Sequence, residues 1–409
     1  MKIINLTQIQ YRNYANIHSK RNFGQTIEYS MLKFNINKKR LFLGLSDDDN
    51  NIHAAALVLI HNISPTIKEA IAPNGFLIDY ADFELVNNFT LQLKKYLLKE
   101  GVIYLITNPM FKYRVYNEKN TIILNNEAIL DNLFRLGYKS LGYNSPFSRF
   151  DVIIENNNGV NDIYHNFNRN TRRNINEGLN LGVSLHKANN SFIDEAYKIF
   201  KKKTTNSLAY YRNLLSIYNN NDNKMEIFYV TLNPHKYLVN IKKIYEKEQQ
   251  KNDKIHDVFN KNIGHITEKL LNKKINSDKT LEKYSQELNK AILLNQNSTD
   301  DIVIGTSIVI KNNHEIYFLI DGYNEKYRSV HSTHILKWAI IRKYYQQGYR
   351  IFNLGEIHKD YMNKDSKYYG QFRYKIGFGG NVIEYTPELL LVINKPLYSM
   401  YKKINHRIK

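Results

Sequence analysis

The residues able to do chemistry in this 409-residue chain are mainly basic and aromatic. Cysteine is absent, which removes disulfides, thiol nucleophiles and thiolate-bound zinc. The 13 histidines show no metal-ligand spacing, and His331 and His334 share a predicted helix face without supporting ligands. No Walker loop or Gly-rich dinucleotide fingerprint is present. The densest group is Tyr374-Lys375-Ile376-Gly377-Phe378-Gly379-Gly380. A fixed ammonium can stabilise an oxyanion and protonate a leaving oxygen, and glycines nearby permit close backbone approach. Lys and Arg total 58 against 38 Asp and Glu, a net charge of +20. That excess suits a polyanionic partner such as RNA, phosphates or an acidic membrane face. A Lys- and Asn-rich compositional bias, which the 32 tyrosines also fit, is the other source of it.

The elements around this group read as strand, helix, strand. Ile316-Tyr317-Phe318-Leu319-Ile320 is an apolar run stopping at Asp321-Gly322. From His334 to Tyr345 apolar residues recur at helical spacing, and Gly348 ends the helix. Arg350 to Gly355 is the next strand, and a loop rich in Lys, Asp and Tyr leads to Tyr374. The same plan occurs earlier. Phe76-Leu77-Ile78-Asp79 precedes a helix from about Asp82 to Lys99, then Gly101, then a strand from Val102 to Thr107. Two copies of one α/β domain are therefore expected. Upstream, helices are expected at Gln8 to Ser19 and Thr26 to Lys33, and strands at Arg40 to Leu45 and Ala54 to Ile60. Between Lys236 and Gln296 the chain turns Lys-, Glu-, Asn- and Gln-rich. Its two apolar stripes predict a helical hairpin broken at Asn276-Ser277-Asp278.

An ordered set of short motifs ties these pieces together. It runs Asp321-Gly322, Tyr327-Arg328, Leu336-x-Trp338, Gly348, Asn353-Leu354-Gly355, Tyr368-Tyr369-Gly370, Tyr374-Lys375-x-Gly377-Phe378-Gly379-Gly380, and Asn394-Lys395-Pro396-Leu397-Tyr398. The set resembles the carboxy-terminal half of the Fem family, the aminoacyl-tRNA-dependent transferases that build peptidoglycan cross-bridges. The resemblance extends in order over nearly the whole chain. It implies an α/β protein of two GNAT-like acyltransferase domains with an inserted antiparallel helical, coiled-coil arm. The expected division is 1–148 for the first domain, with 387–409 packing back on it. Residues 149–386 form the second, with the arm at 236–297. Such an arm occurs in part of the family, where it resembles the tRNA-contacting arm of seryl-tRNA synthetase.

The resemblance also implies roles. Tyr374-Lys375 resembles an aromatic-Lys pair at the acyl-transfer site, with Tyr where Phe is usual. Lys33 and Arg212 resemble residues that hold the acceptor's phosphates, Lys as a point charge and Arg as a bidentate fork. On the arm, Lys242, Lys243, Lys254, Lys261, Lys273 and Lys274 are the expected tRNA contacts. One departure stands out: Asn108-Pro109 replaces the family's frequent Asp-Pro, and Asn cannot act as a base.

The implied reaction moves glycine, alanine or serine from aminoacyl-tRNA to an amine of a peptidoglycan precursor's stem peptide. The ester is already activated, so no cofactor and no metal are expected. The acceptor would be a lipid-linked or nucleotide-linked muropeptide, met by a cytoplasmic protein touching the membrane face. A homo- or hetero-oligomer with related transferases is a further expectation. Two other readings stand beside this one. An acyl-CoA-dependent GNAT enzyme would normally carry a Gly-containing pyrophosphate loop, and Tyr80 to Phe83 and Tyr323 to Thr333 contain no Gly. A non-catalytic basic RNA-binding protein would use the charge and the arm alone.

Overall fold

The computed structural model describes all residues except 20–21, 33–36, 66, 144–148, 220–223, 313–314 and 407–409, and the side chains of 404–406. In chain order the elements begin β1 (Lys2–Asn5), α1 (Gln8–Ile17), α2 (Ile27–Ser30), β2 (Lys39–Ser46), β3 (Ile52–Ser64), β4 (Ile67–Ala72) and α3 (Phe83–Lys99). Next come β5 (Val102–Thr107), β6 (Arg114–Tyr116), β7 (Ile122–Asn125), α4 (Glu127–Arg135), β8 (Tyr138–Gly142) and β9 (Phe150–Glu155). They continue as α5 (Val160–Asn166), α6 (Arg169–Leu179), β10 (Val183–Lys187), α7 (Ile193–Phe200), α8 (Leu208–Asn219), β11 (Lys224–Leu232), α9 (Pro234–Lys261) and α10 (Glu268–Asn297). The chain closes with β12 (Ile302–Lys311), β13 (Glu315–Tyr323), α11 (Ser332–Gln346), β14 (Ile351–Ile357), α12 (Tyr369–Ile376), β15 (Asn381–Glu384), β16 (Glu388–Val392) and α13 (Lys395–His406).

These strands form two sheets, ordered β1-β2-β3-β4-β5-β16-β8 and β10-β11-β12-β13-β14-β9-β15-β6-β7. Each contains one parallel pair among the described strands, β4 with β5 and β13 with β14. Each parallel pair is joined by one helix, α3 or α11, because parallel neighbours need a crossover. The alternation along β3 shows how the halves meet. Ala54, Ala56, Val58 and Ile60 face a core shared with α3 and α4. Ala55, Leu57 and Leu59 face the other way, into a core that also takes Phe200, Tyr211, Ile227 and Ile308 from the second half. Both sheets are thus covered on both faces, which explains their near-continuous apolar strands.

Four expectations change. The division at 148 does not follow the sheets, since β6 and β7 lie in the second sheet, whereas β16 joins the first, as expected of 387–409. The tetrapeptide match is no structural repeat, since Phe76–Asp79 joins the first sheet through a single bridge, Ala55 to Leu77. The counterpart of β13 is β4. Residues 74 and 75 make the tight turn between, with φ of 58° and 86°. A Cβ at Gly75 would lie 2.7 Å from the Pro109 Cα, so glycine is required there. Thirdly, Asp321-Gly322 does not end β13 but lies inside it. Finally, Tyr374 and Lys375 belong to the short helix α12 rather than to a loop.

The hairpin prediction placed its break wrongly. Helices α9 and α10 run antiparallel, and the turn falls at 262–267, with the Thr267 hydroxyl capping α10. Asn276-Ser277-Asp278 sits within α10 because its polar groups bond across to α9: Asn252 donates to Ser277 and Asp278, and His256 pairs with Asp278 at 2.7 Å. At the root, buried Glu287 accepts from Tyr237 and Ser329, both at 2.8 Å, tying α9 and α10 to the second half. No helix among the described residues is long and apolar enough to cross a membrane.

Phe200 is fully buried in the shared core, and its Cβ lies 2.7 Å from where a Cβ on Gly322 would be. Phe200→Ala should cost roughly 3–5 kcal/mol of stability. Urea unfolding measures it, and a loss below about 1 kcal/mol would show that the halves do not depend on this core.

Candidate active site

Strands β13 and β14 begin as neighbours and then separate. Their ladder pairs only Glu315 with Ile351, Ile316 with Phe352 and Tyr317 with Asn353. Beyond that, β13 follows β12 as far as the Gly305–Tyr323 pair, while β14 follows β9 with a register shift between Asn353 and Glu356. A wedge opens between them. Gly355 stands at its apex with φ of 83°. A Cβ there would come within 3.1 Å of the Phe318 carbonyl oxygen and 3.3 Å of Lys375 Nζ. In the first sheet β4 and β5 stay paired through Ala72–Thr107, so no such wedge forms.

Lys375 enters the wedge from α12. The residue is only partly covered overall, yet its ammonium donates to the Glu356 carbonyl at 2.8 Å among strand ends. Burial of that ammonium and, next, the Lys337 charge lower its pKa to about 8, against Asp151, Asp321 and Glu356. Asp151 is itself held by Asn353 at 2.9 Å and Tyr385 at 3.3 Å. Tyr374 does not reach the wedge as a reacting group. Its hydroxyl donates to the Thr333 carbonyl at 3.1 Å, and its ring packs edge-on against His334 and Phe378. It docks α12 on α11, which fixes where Lys375 points.

The pair that sequence reading missed is Lys337 with Asp321. Lys337 has no exposed surface, and its Nζ lies 2.7 Å from Asp321 Oδ2. The other carboxylate oxygen accepts from Ser307 at 2.6 Å. The ammonium rests 3.8 Å from the Phe318 ring centroid and 5.7 Å from that of Tyr374. Burial lowers the Lys337 pKa while Asp321 supports it. Burial raises that of Asp321, but Lys337 and Ser307 outweigh it and leave the carboxyl below its ordinary value. One signal was available: a lysine inside Ile335-Leu336-Lys337-Trp338-Ala339-Ile340-Ile341 contradicts the apolar pattern around it.

The remaining expected residues are spread more widely. Lys33 lies outside the described residues. Arg212, on α8, is exposed, and both tines of its guanidinium engage Asp194, so a phosphate would have to displace that carboxylate. Its neighbour Tyr210 faces Tyr29 and Tyr317, toward a small cleft between the halves lined by Phe23, Thr26, Tyr218 and Glu315. Burial, together with Asp151 and Glu155, raises the Glu315 pKa to about 7. Lys242, Lys243, Lys254, Lys261 and Lys273 are exposed along α9 and α10, while Lys274 pairs with Asp278 at 2.8 Å. Asn108 is structural: its amide bonds Asn74 in both directions, at 2.8 and 3.0 Å. At the start of α3 the Asp82 carboxylate accepts from Leu85, filling with negative charge the place a pyrophosphate would take. Among the described residues no His, Asp and Glu cluster is arranged to hold a metal ion.

Comparison with known proteins adds an independent line. A sequence model of the FemAB family matches residues 6–406. The chain is 25% identical over 421 residues to aminoacyltransferase FemA of Staphylococcus epidermidis, covering 99% of each chain. It is 23% identical over 435 residues to aminoacyltransferase FemA of Staphylococcus aureus, covering 100% of each. Its fold is similar to the crystal structure of FemX, with a TM-score of 0.72 at 17% identity, over 98% of this chain and 99% of that one.

The depressed pKa of Lys375 is directly measurable. Competitive labelling with an amine-reactive reagent across pH, read at Lys375 by mass spectrometry, should show a midpoint near 8. A midpoint at the ordinary lysine value, about 10.4, would mean that the ammonium is solvated.

Proposed function

The chain belongs to the FemAB family, and on that premise we propose that this aminoacyltransferase moves an amino acid from aminoacyl-tRNA to the amine of a peptidoglycan stem peptide, forming an interpeptide bridge. The observation that carries the reading is Lys375 at the wedge between β13 and β14, close to charged groups and with a lowered pKa. The acceptor amine attacks the ester carbonyl, a C–N bond forms, and the C–O bond to ribose breaks. The Lys375 ammonium faces the oxyanion as it develops and gives a proton to the departing ribose oxygen. It recovers that proton from the nitrogen that has become the amide, so the balance closes without an added base. Asn108, with both ends of its amide engaged, has no part in this step.

The substrates approach from two sides. The acceptor would approach from the side of Tyr317 and Glu315, which line a small cleft between the halves. Lys33 and Arg212 would hold the phosphates of a lipid-linked or nucleotide-linked acceptor, Arg212 by exchanging Asp194 for phosphate. Helices α9 and α10 form the arm, and their exposed lysines would follow the tRNA backbone.

Lys375→Met keeps the length and removes the charge. Single-turnover transfer should fall by about 10²–10³ with little change in either substrate's affinity, the pattern for an interaction made in the transition state. A rate within about threefold of wild type would contradict the role. For the arm, replacing Lys242 to Asn295 by a short linker should leave the two sheets folded and weaken tRNA binding. Wild-type binding should decline steeply with salt as phosphate counterions are released. Equal tRNA affinity with and without the arm would assign tRNA contact elsewhere.

A further inference from the structure

Lys337 is a fully buried lysine that the transfer step does not use directly. Lysine is rarely buried this completely without a reason, and a buried ion pair is seldom the most stable choice for a core. An apolar pair of similar volume is often equally stable or more so. What distinguishes this pair is its location. Asp321 lies on β13 and Lys337 on α11, and both act electrostatically on Lys375 of α12. The Phe318 ring that covers the Lys337 ammonium belongs to the residue whose carbonyl approaches Gly355 at the wedge apex.

We propose that the Asp321–Lys337 ion pair is a positioning device for Lys375, setting the charge with which Lys375 meets the ester and holding the α12 turn that carries it. The inference rests on the reading of Lys375 as the acid of the transfer step.

The argument has a geometric and an electrostatic part. Geometrically, Tyr374 spans the two lysines. Its ring lies over Lys337 at 5.7 Å, its hydroxyl bonds α11 at Thr333, and the next residue is Lys375. Moving Lys337 therefore moves the support of α12. Electrostatically, Lys375 is faced by Lys337 from α11, Asp321 from β13, Asp151 from β9 and Glu356 from β14. Lys337 is faced by Asp321 and by the neutral His334, and Asp321 also by Lys203 from the turn after α7. Among the charges facing Lys375, the one from Lys337 has the largest effect, and it opposes a second positive charge. A lysine of ordinary pKa is a poor proton donor near neutral pH, and a donor works best when its pKa lies near the operating pH. Lys337 moves Lys375 in that direction. Asp321 favours the charged form of Lys337 against the burial that disfavours it.

The sign of the effect is fixed. Transfer needs the Lys375 ammonium, so its rate falls as pH rises through the Lys375 pKa. Removing the Lys337 charge raises that pKa, so the falling limb moves to higher pH. The test uses the full-length protein as Lys337→Met and as Lys337→Gln. Lys337→Gln also removes the charge but can donate to Asp321, which keeps the test usable if Lys337→Met fails to fold. Two quantities are read: pH-dependent amine labelling of Lys375, and the pH profile of single-turnover transfer. The expected result in the folded variant is an alkaline shift of about one unit in both, with kcat near neutral pH down about tenfold and KM little changed. Labelling and transfer profiles that both coincide with wild type in a folded variant lacking the Lys337 charge would overturn the proposal and leave the pair a structural element. A shifted labelling midpoint with an unchanged transfer profile would keep the pair's hold on Lys375 and instead overturn Lys375 as the acid.

Discussion

The separation of β13 from β14 after three residue pairs is the constraint on which the rest of the structure depends. Parallel strands in a closed sheet satisfy their backbone groups on each other and leave no room for a substrate. Here each strand turns to a different antiparallel neighbour, β12 or β9, so both remain bonded while the space between them opens. Gly355 is required at the apex because a side chain would crowd the Phe318 carbonyl and Lys375 together. The groups that act on Lys375 lie around this wedge: Asp321 on one wall, Asp151 and Asn353 behind the other, and Lys375 itself entering through α12.

The first half shares the plan but not the opening. Its parallel pair is closed to the end, and the adjoining turn is locked by the reciprocal amide bonds of Asn74 and Asn108. Buried Gln25 adds to the closure by donating to the carbonyls of Leu57 and Pro73. Its contribution is therefore a wall and a core. The apolar cluster it shares with α7 and α8 borders the small cleft lined by Tyr317 and Glu315. Two halves built alike differ in this way, one with a closed parallel pair and one with an open one.

Charge follows the same division. The chain as a whole is strongly basic, yet the charges acting most strongly on Lys375 are mostly acidic: Asp151, Asp321 and Glu356, against the cation Lys337. The exposed lysines of α9 and α10 stay in water, where each charge is screened and costs little. Near the wedge, low solvation magnifies each charge, so one buried lysine outweighs many exposed ones in setting how Lys375 behaves.

Periodicity and turn chemistry were enough to determine the local elements. Val102–Thr107, Phe150–Glu155 and the helix before Gly348 are legible because their burial is repeated along the segment, and a repeat is a local property. The motif order around Tyr374-Lys375 also singled out the residue that enters the wedge. Three things were decided only in the tertiary structure. The passage of β6 and β7 into the second sheet depends on pairing across long sequence distances, which no local pattern encodes. The turn of the long hairpin was misplaced because Asn276-Ser277-Asp278 has the composition of a break, while its partners Asn252 and His256 lie on the facing helix. Lys337 passed as a spacer between Leu336 and Trp338. Its importance comes from burial beside Asp321, sixteen residues away on another element, and a single side chain's solvation is set only when the chain has folded around it.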